Sequence, residues 1–84
     1  MKMKASDILL SLEGEHLEVW KAPDGDICVS YQHCDIKDGY FLVGSFGAGK
    51  TFEEACDEYL KQIRGKTLVF NACSKSRKEI KVLG

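Results

Sequence analysis

The feature that most restricts this chain is the spacing of apolar residues between Phe52 and Ile63. They fall at Phe52, Ala55, Cys56, Tyr59, Leu60 and Ile63, the i, i+3, i+4, i+7, i+8, i+11 series that lays one stripe along an α-helix. Such a helix must cover its stripe with another layer. Thr51 stands at the N-cap position, and Glu54 completes a capping box by reaching back to the threonine amide. Glu53, Glu54, Asp57 and Glu58 lie toward the positive end of the helix dipole, Lys61 and Arg64 toward the negative end. Gly65 can take the left-handed conformation that ends a helix.

Directly before the cap, Gly44 to Thr51 reads GSFGAGKT, which satisfies G-x-x-x-x-G-K-[ST] and follows an apolar strand candidate, Tyr40 to Val43. Strand, glycine loop and helix is the context of a phosphate cradle, in which Gly47 and Gly49 bring the backbone close, Lys50 reaches the outer phosphates of ATP and Thr51 holds magnesium. Three features oppose a reduced P-loop nucleotide binder. A chain of 84 residues leaves little room for a doubly wound parallel sheet. The apolar run Leu68-Val69-Phe70 ends at Asn71, where a magnesium-binding carboxylate would be needed. Four carboxylates in the first two helical turns repel a triphosphate. The capped glycine-rich turn is the better reading, so no cofactor and no catalytic residue is expected.

At 84 residues the chain forms one domain, able to bury roughly 60–65% of its unfolded surface. Hydrophobic residues make up 44% of it, which places it among globular and not disordered chains. No apolar run approaches the roughly 18 residues of a membrane span, and the start MKMK is not followed by a secretory h-region. A cytoplasmic protein without membrane contact is expected, its four cysteines, Cys28, Cys34, Cys56 and Cys73, reduced. Charge is unevenly divided: residues 1–60 carry five lysines against twelve acids, whereas residues 61–84 carry seven basic residues against Glu79 alone. An acidic body and a basic end can mark a partner surface or complement each other within the fold.

In chain order, Ser6 and Asp7 before Ile8, Leu9 and Leu12 suggest a short helix with Ser6 as N-cap, ended by Gly14, with an edge strand as the rival. His16 to Ala22 and Ile27 to Tyr31 alternate about the turn Pro23-Asp24-Gly25-Asp26 and form a hairpin. Asp35 to Gly39 reads as a second turn and Tyr40 to Val43 as the third strand. Thr67 to Ala72 and Glu79 to Leu83 are strands separated by a polar loop at Ser74 to Lys78. The expected fold is therefore α+β, a three-stranded antiparallel meander packed by one amphipathic helix plus C-terminal strands, in the order (α)βββαββ. Leu17, Val19, Ile27, Val29, Phe41, Val43, Leu68 and Phe70 are its expected sheet core.

Two resemblances follow from these residues. Strands followed by G-x-[ST]-x-E-E-A, at Gly49 to Ala55, resemble the small βββα domains of HicB-type antitoxins and, with a leading helix, the double-stranded RNA-binding fold. That likeness implies a regulator contacting nucleic acid or a toxin. Where the RNA-binding family opens its helix with lysines, this chain has Phe52-Glu53-Glu54-Ala55, which would repel RNA. The block GKTFEEACDEYLKQIRGKTLVFNA, Gly49 to Ala72, is similar to small proteins of phages and other mobile elements. This likeness implies an inhibitor of a host nucleic-acid enzyme, anti-CRISPR proteins being one such class, that works by protein contact.

Other groupings have bland readings. His33 and Cys34, with Cys28 and His16, hold zinc-binding atoms in no familiar spacing, and adjacent His and Cys rarely form a nucleophile pair. Lys75, Arg77 and Lys78, with Lys81 and Lys66, suit a phosphate-bearing partner or simply a lysine-protected edge. Asp24, Asp26, Asp35 and Asp38, with Glu13, Glu15 and Glu18, are turn formers or an anionic face that imitates nucleic acid. Trp20 points away from Leu17 and Val19; with Tyr40 or Phe46 it is an exposed anchor for a host protein if that side is open, and equally it is core if the N-terminal segment covers it. The chain is expected to fold alone or as a dimer.

Overall fold

A computed structural model of the chain describes residues 4–12 and 15–82. It contains helices α1 (Ala5–Leu10) and α2 (Phe52–Ile63) and strands β1 (Leu17–Lys21), β2 (Ile27–Tyr31), β3 (Cys34–Asp38), β4 (Phe41–Val43), β5 (Gly47–Gly49), β6 (Thr67–Phe70) and β7 (Lys78–Lys81). The strands form two antiparallel sheets, β1-β2-β5 and β4-β3-β6-β7. The class is α+β as expected, with two strands, β3 and β5, that the sequence reading lacked.

The fold is organised around α2. Ala55, Cys56, Tyr59 and Ile63 are essentially inaccessible and Leu60 nearly so, which is what the apolar stripe requires. Thr51 caps the helix, its hydroxyl accepting from the Glu54 amide at 3.1 Å. The Glu54 carboxylate reaches one residue further back than expected, accepting from the Lys50 amide at 3.0 Å. Arg64 ends the helix and Gly65 follows with φ of +78°, as the C-terminal signal implied.

Around this helix the core gathers Leu9 of α1, Val29 and Tyr31 of β2, Ile36 of β3, and Leu68 and Phe70 of β6. Tyr31 links the layers. Its amide donates to the Tyr59 hydroxyl at 3.1 Å and its own hydroxyl donates to the Leu9 carbonyl at 2.5 Å. Burial pushes the Tyr31 phenol up to about 12 and raises that of Tyr59 as well. The Tyr31 ring lies 5.7 Å from Tyr59 and meets Phe70 edge-on at the same centroid distance, a geometry favoured by aromatic quadrupoles.

The hairpin of β1 and β2 forms as expected, with Val19 opposite Val29 and Trp20 opposite Cys28. Asp24 shapes its turn by accepting from the Asp26 amide at 3.0 Å, and Gly25 takes a φ of +96°. The segment Asp35 to Gly39 is not a turn. Residues 34–38 are β3, which pairs with β4 on one side and β6 on the other. Turns flank it instead: His33 before it has φ of +55°, and Gly39 after it has φ of +61°.

Four other expectations are corrected. Ser6 is not an N-cap: Lys4 holds that position without a side-chain cap, and Ser6 in the first turn is bonded to Glu53 through both its amide (3.0 Å) and its hydroxyl (2.5 Å). The hydroxyl bond is the main cause that holds the Glu53 carboxyl pKa below its ordinary value. Val19, Phe41 and Val43 are not core but about half exposed or more, because β1 and β4 border their sheets beyond the cover of α2. The strand after α2 stops at Phe70, since Asn71 adopts a φ of +55°. The last strand is 78–81; its expected end at Leu83, like Glu13 and the helix stop at Gly14, lies outside the described residues. No helix among the described residues is long and apolar enough to cross a membrane.

Candidate functional site

The glycine segment is a packing device in this structure. Residues 47–49 form β5, a strand paired with β2, so they are not a loop between a strand and α2. A Cβ on Gly47 would overlap the Ala55 carbonyl oxygen and lie 2.5 Å from the Tyr59 nitrogen; one on Gly49 would lie 2.6 Å from the Glu54 Cβ. Glycine is required here because β5 runs directly beneath the helix backbone. At the helix entrance the Lys50 amide binds the Glu54 carboxylate, where an anion would need it free. The Lys50 side chain is largely exposed and its Nζ lies 3.3 Å from Asp26 Oδ1. Although that oxygen is buried, the approach lacks hydrogen-bond geometry. Thr51 is occupied as cap. Accordingly Thr51→Ala is expected to lower stability by about 1 kcal/mol, and Lys50→Ala by less than about 0.5 kcal/mol as an exposed pair, measured by urea unfolding.

Two of the basic residues near the C-terminus, Arg77 and Lys78, are committed within the fold. Lys78 pairs with Glu15 and sits 5.7 Å above the Phe70 ring, while Arg77 and Lys37 both bind Glu79, at 3.1 and 3.4 Å. Those contacts, led by the Arg77 hydrogen bond, hold the Glu79 pKa below the ordinary carboxylate value. Lys75 is exposed and makes no ion pair among the described residues. The acids are likewise dispersed. Asp24 and Asp26 shape the β1–β2 turn, whereas Asp35 and Asp38 stand in β3 of the other sheet.

An open cleft of 540 Å³ lies where the chain leaves one sheet for the other, lined by Glu18, His33, Cys34, Asp35, Asn71 and Cys73 among others. The Asn71 amide donates to the His33 carbonyl at 2.9 Å, joining its two left-handed residues. Burial pushes the Cys34 thiol up to about 11, so it stays protonated at neutral pH, the opposite of an activated nucleophile. Among the described residues no three His, Cys, Asp or Glu side chains are placed to hold a metal. Cys28 and Cys56 are buried, Cys34 is half-buried and Cys73 exposed, all with free thiols.

The aromatic surface is more distinctive. Trp20 projects from the β1 face opposite Val19, as the alternation implied, and its ring lies 6.0 Å from that of Phe46. They remain 42% and 52% exposed. The built Cβ of Gly47, aligned with Val29 and Val19, points into α2, so Trp20 stands on the face turned away from that helix. Phe46 is held by its backbone, its carbonyl accepting from Gln62 Nε2 at 2.8 Å. Nearby in sequence, Tyr40, Phe41, Leu42 and Val43 are also exposed, within ten uncharged residues from Tyr40 to Gly49. Scattered apolar residues are ordinary on a surface, but neighbouring aromatics are the side chains that anchor protein interfaces. Of the two aromatic companions expected for Trp20, Phe46 lies beside it and Tyr40 instead precedes β4. No protein-family model, curated protein or solved structure matches this chain, and its chemistry is read from its own residues.

Proposed function

We propose that this chain is a non-enzymatic binding protein that docks another protein on the surface around Trp20 and Phe46. The observation that carries this reading is the pair of exposed rings 6.0 Å apart on the sheet face away from α2. One ring is carried by a strand and the backbone of the other is tied to α2 by a hydrogen bond, so the backbone that presents both anchors is already ordered. The narrower reading, inhibition of a host nucleic-acid enzyme, draws on the likeness of residues 49–72 to mobile-element proteins. A regulator that grips nucleic acid is less well supported, because Arg77 and Lys78 already have acidic partners.

Immobilised protein incubated with nuclease-treated bacterial lysate tests this reading. Trp20→Ala is expected to weaken the capture of a partner protein by about thirtyfold, corresponding to about 2 kcal/mol for an interface anchor, and Arg77→Ala to leave it unchanged. Capture that disappears with nuclease, or that depends on Arg77 and not Trp20, would overturn it in favour of the nucleic-acid regulator. Saturable heat on titration with ATP and magnesium, abolished by Lys50→Ala, would instead favour the nucleotide binder.

A further inference from the structure

We infer that β4 is a self-association edge, pairing antiparallel with β4 of a second copy about a two-fold axis at Leu42. The four strands that border the two sheets are β1, β5, β4 and β7. An edge strand presents unpaired N–H and C=O groups, and chains that remain monomeric blunt such edges with charge. Here β1 carries Glu18 and Lys21, β7 carries Lys78, Glu79 and Lys81, and β5 lies beneath α2. By contrast, β4 is Phe-Leu-Val with all three residues exposed, and it has neither charge nor proline nor helical cover. Of the four borders among the described residues, this is the one made entirely of large, exposed apolar side chains.

The sequence about Leu42 suits its own copy. A two-fold axis there sets Leu42 against Leu42, Phe41 against Val43, and Tyr40 against Gly44 of the second copy. Tyr40 is completely exposed, and the space above Gly44 is open, a Cβ there meeting only Asp35 Oδ1 at 3.9 Å. An aromatic ring laid across a strand glycine fills such a gap. The nearest charge is Asp35, whose carboxylate flanks Gly44; Lys37 and Asp38 lie one strand away in β3, and β4 itself brings no charge to the seam. With Phe41 at 74%, Leu42 at 40% and Val43 at 47% exposed, these four side chains expose roughly 500 Å² per copy, of which edge pairing covers only a part, so the pair belongs to the weak interfaces below about 1,200 Å². The product is one eight-stranded sheet, and isologous pairing closes at two copies. This inference is independent of the docking reading, since Trp20 stands in the other sheet.

Sedimentation equilibrium from about 1 to about 200 µM spans the micromolar range expected of an interface this small. The mass is expected to rise from the 9.4 kDa of one chain toward twice that value, and Leu42→Lys to hold it at one chain with an unchanged circular dichroism spectrum. In the native protein, amide exchange at residues 41–43 is expected to slow at least tenfold across that range, as roughly follows from mass action, while residues 78–81 are unaffected. Trp20→Ala is expected to leave the dimer intact, which separates this proposal from the docking reading. A constant single-chain mass, a dimer that survives Leu42→Lys, or exchange at 41–43 independent of concentration would each overturn it.

Discussion

Replacing Gly47 with alanine is expected to lower stability by at least about 3 kcal/mol, the upper end of overpacking costs, because both obstructing groups are backbone. The added methyl would overlap the Ala55 carbonyl oxygen and crowd the Tyr59 nitrogen, and neither can rotate aside. Relief requires α2 to lift from β5, which opens the helix face that carries Cys56, Tyr59 and Ile63. A domain of this size has roughly 5–15 kcal/mol in total, and each kcal/mol moves the melting temperature by about 4–8 °C. Thermal unfolding should therefore show a fall of at least about 12 °C. Gly49→Ala should cost less, since its first obstacle is the Glu54 side chain, although the Ala55 nitrogen at 2.9 Å also confines it. A Gly47→Ala protein with native melting would mean that β5 does not run beneath the helix.

Removing the Tyr59 side chain with Tyr59→Ala is expected to cost about 3–5 kcal/mol, as for other large aromatic truncations in cores. Tyr59→Phe isolates the hydroxyl. It leaves the buried Tyr31 amide without an acceptor, for a loss of about 1–3 kcal/mol. Urea unfolding of the two variants separates ring from hydroxyl. The same residues set an alkaline limit. An unfolded tyrosine ionises near about 10, whereas burial moves Tyr31 up to about 12 and Tyr59 upward too. Stability from keeping these phenols neutral is fully present below the unfolded value and is lost as pH rises through the folded one. The urea midpoint should hold up to about pH 9 and fall steeply above about pH 10; a midpoint flat through about pH 11 would place these hydroxyls in solvent.

The parts of the fold that were legible in the sequence are those decided by neighbours in the chain. The α2 stripe, the Thr51 cap, the Gly65 stop and the Asp24–Gly25 turn are local chemistry and recur in the coordinates. What escaped was decided at a distance. Cys34 to Asp38 carries the Asp and Lys of a turn, yet becomes a central strand because Ile36 and Leu68, 32 positions apart, need the same core. Gly-Ala-Gly has little strand propensity of its own and is held as a strand by β2 and the overlying helix. Ser6 resembles a cap locally, but its hydroxyl is claimed by Glu53 from the other helix. The strand face of Trp20 was readable from simple alternation, whereas its exposure was not, since that depends on what covers the face. Pairing of Lys78 with Glu15 and of Arg77 with Glu79 was not, since an uncommitted cation and a paired one look alike in a sequence.

The graded exposure of the four thiols turns this chain into its own opening gauge. An alkylating reagent marks Cys73 at once, and the half-buried Cys34 more slowly because its thiolate is scarce. Both Cys56, under α2, and Cys28, on the Trp20 face of β2, are inaccessible, so modification of Cys56 times the excursions in which the helix leaves the sheet and that of Cys28 reports the other face, while the first label supplies a dye position at the rim of the cleft.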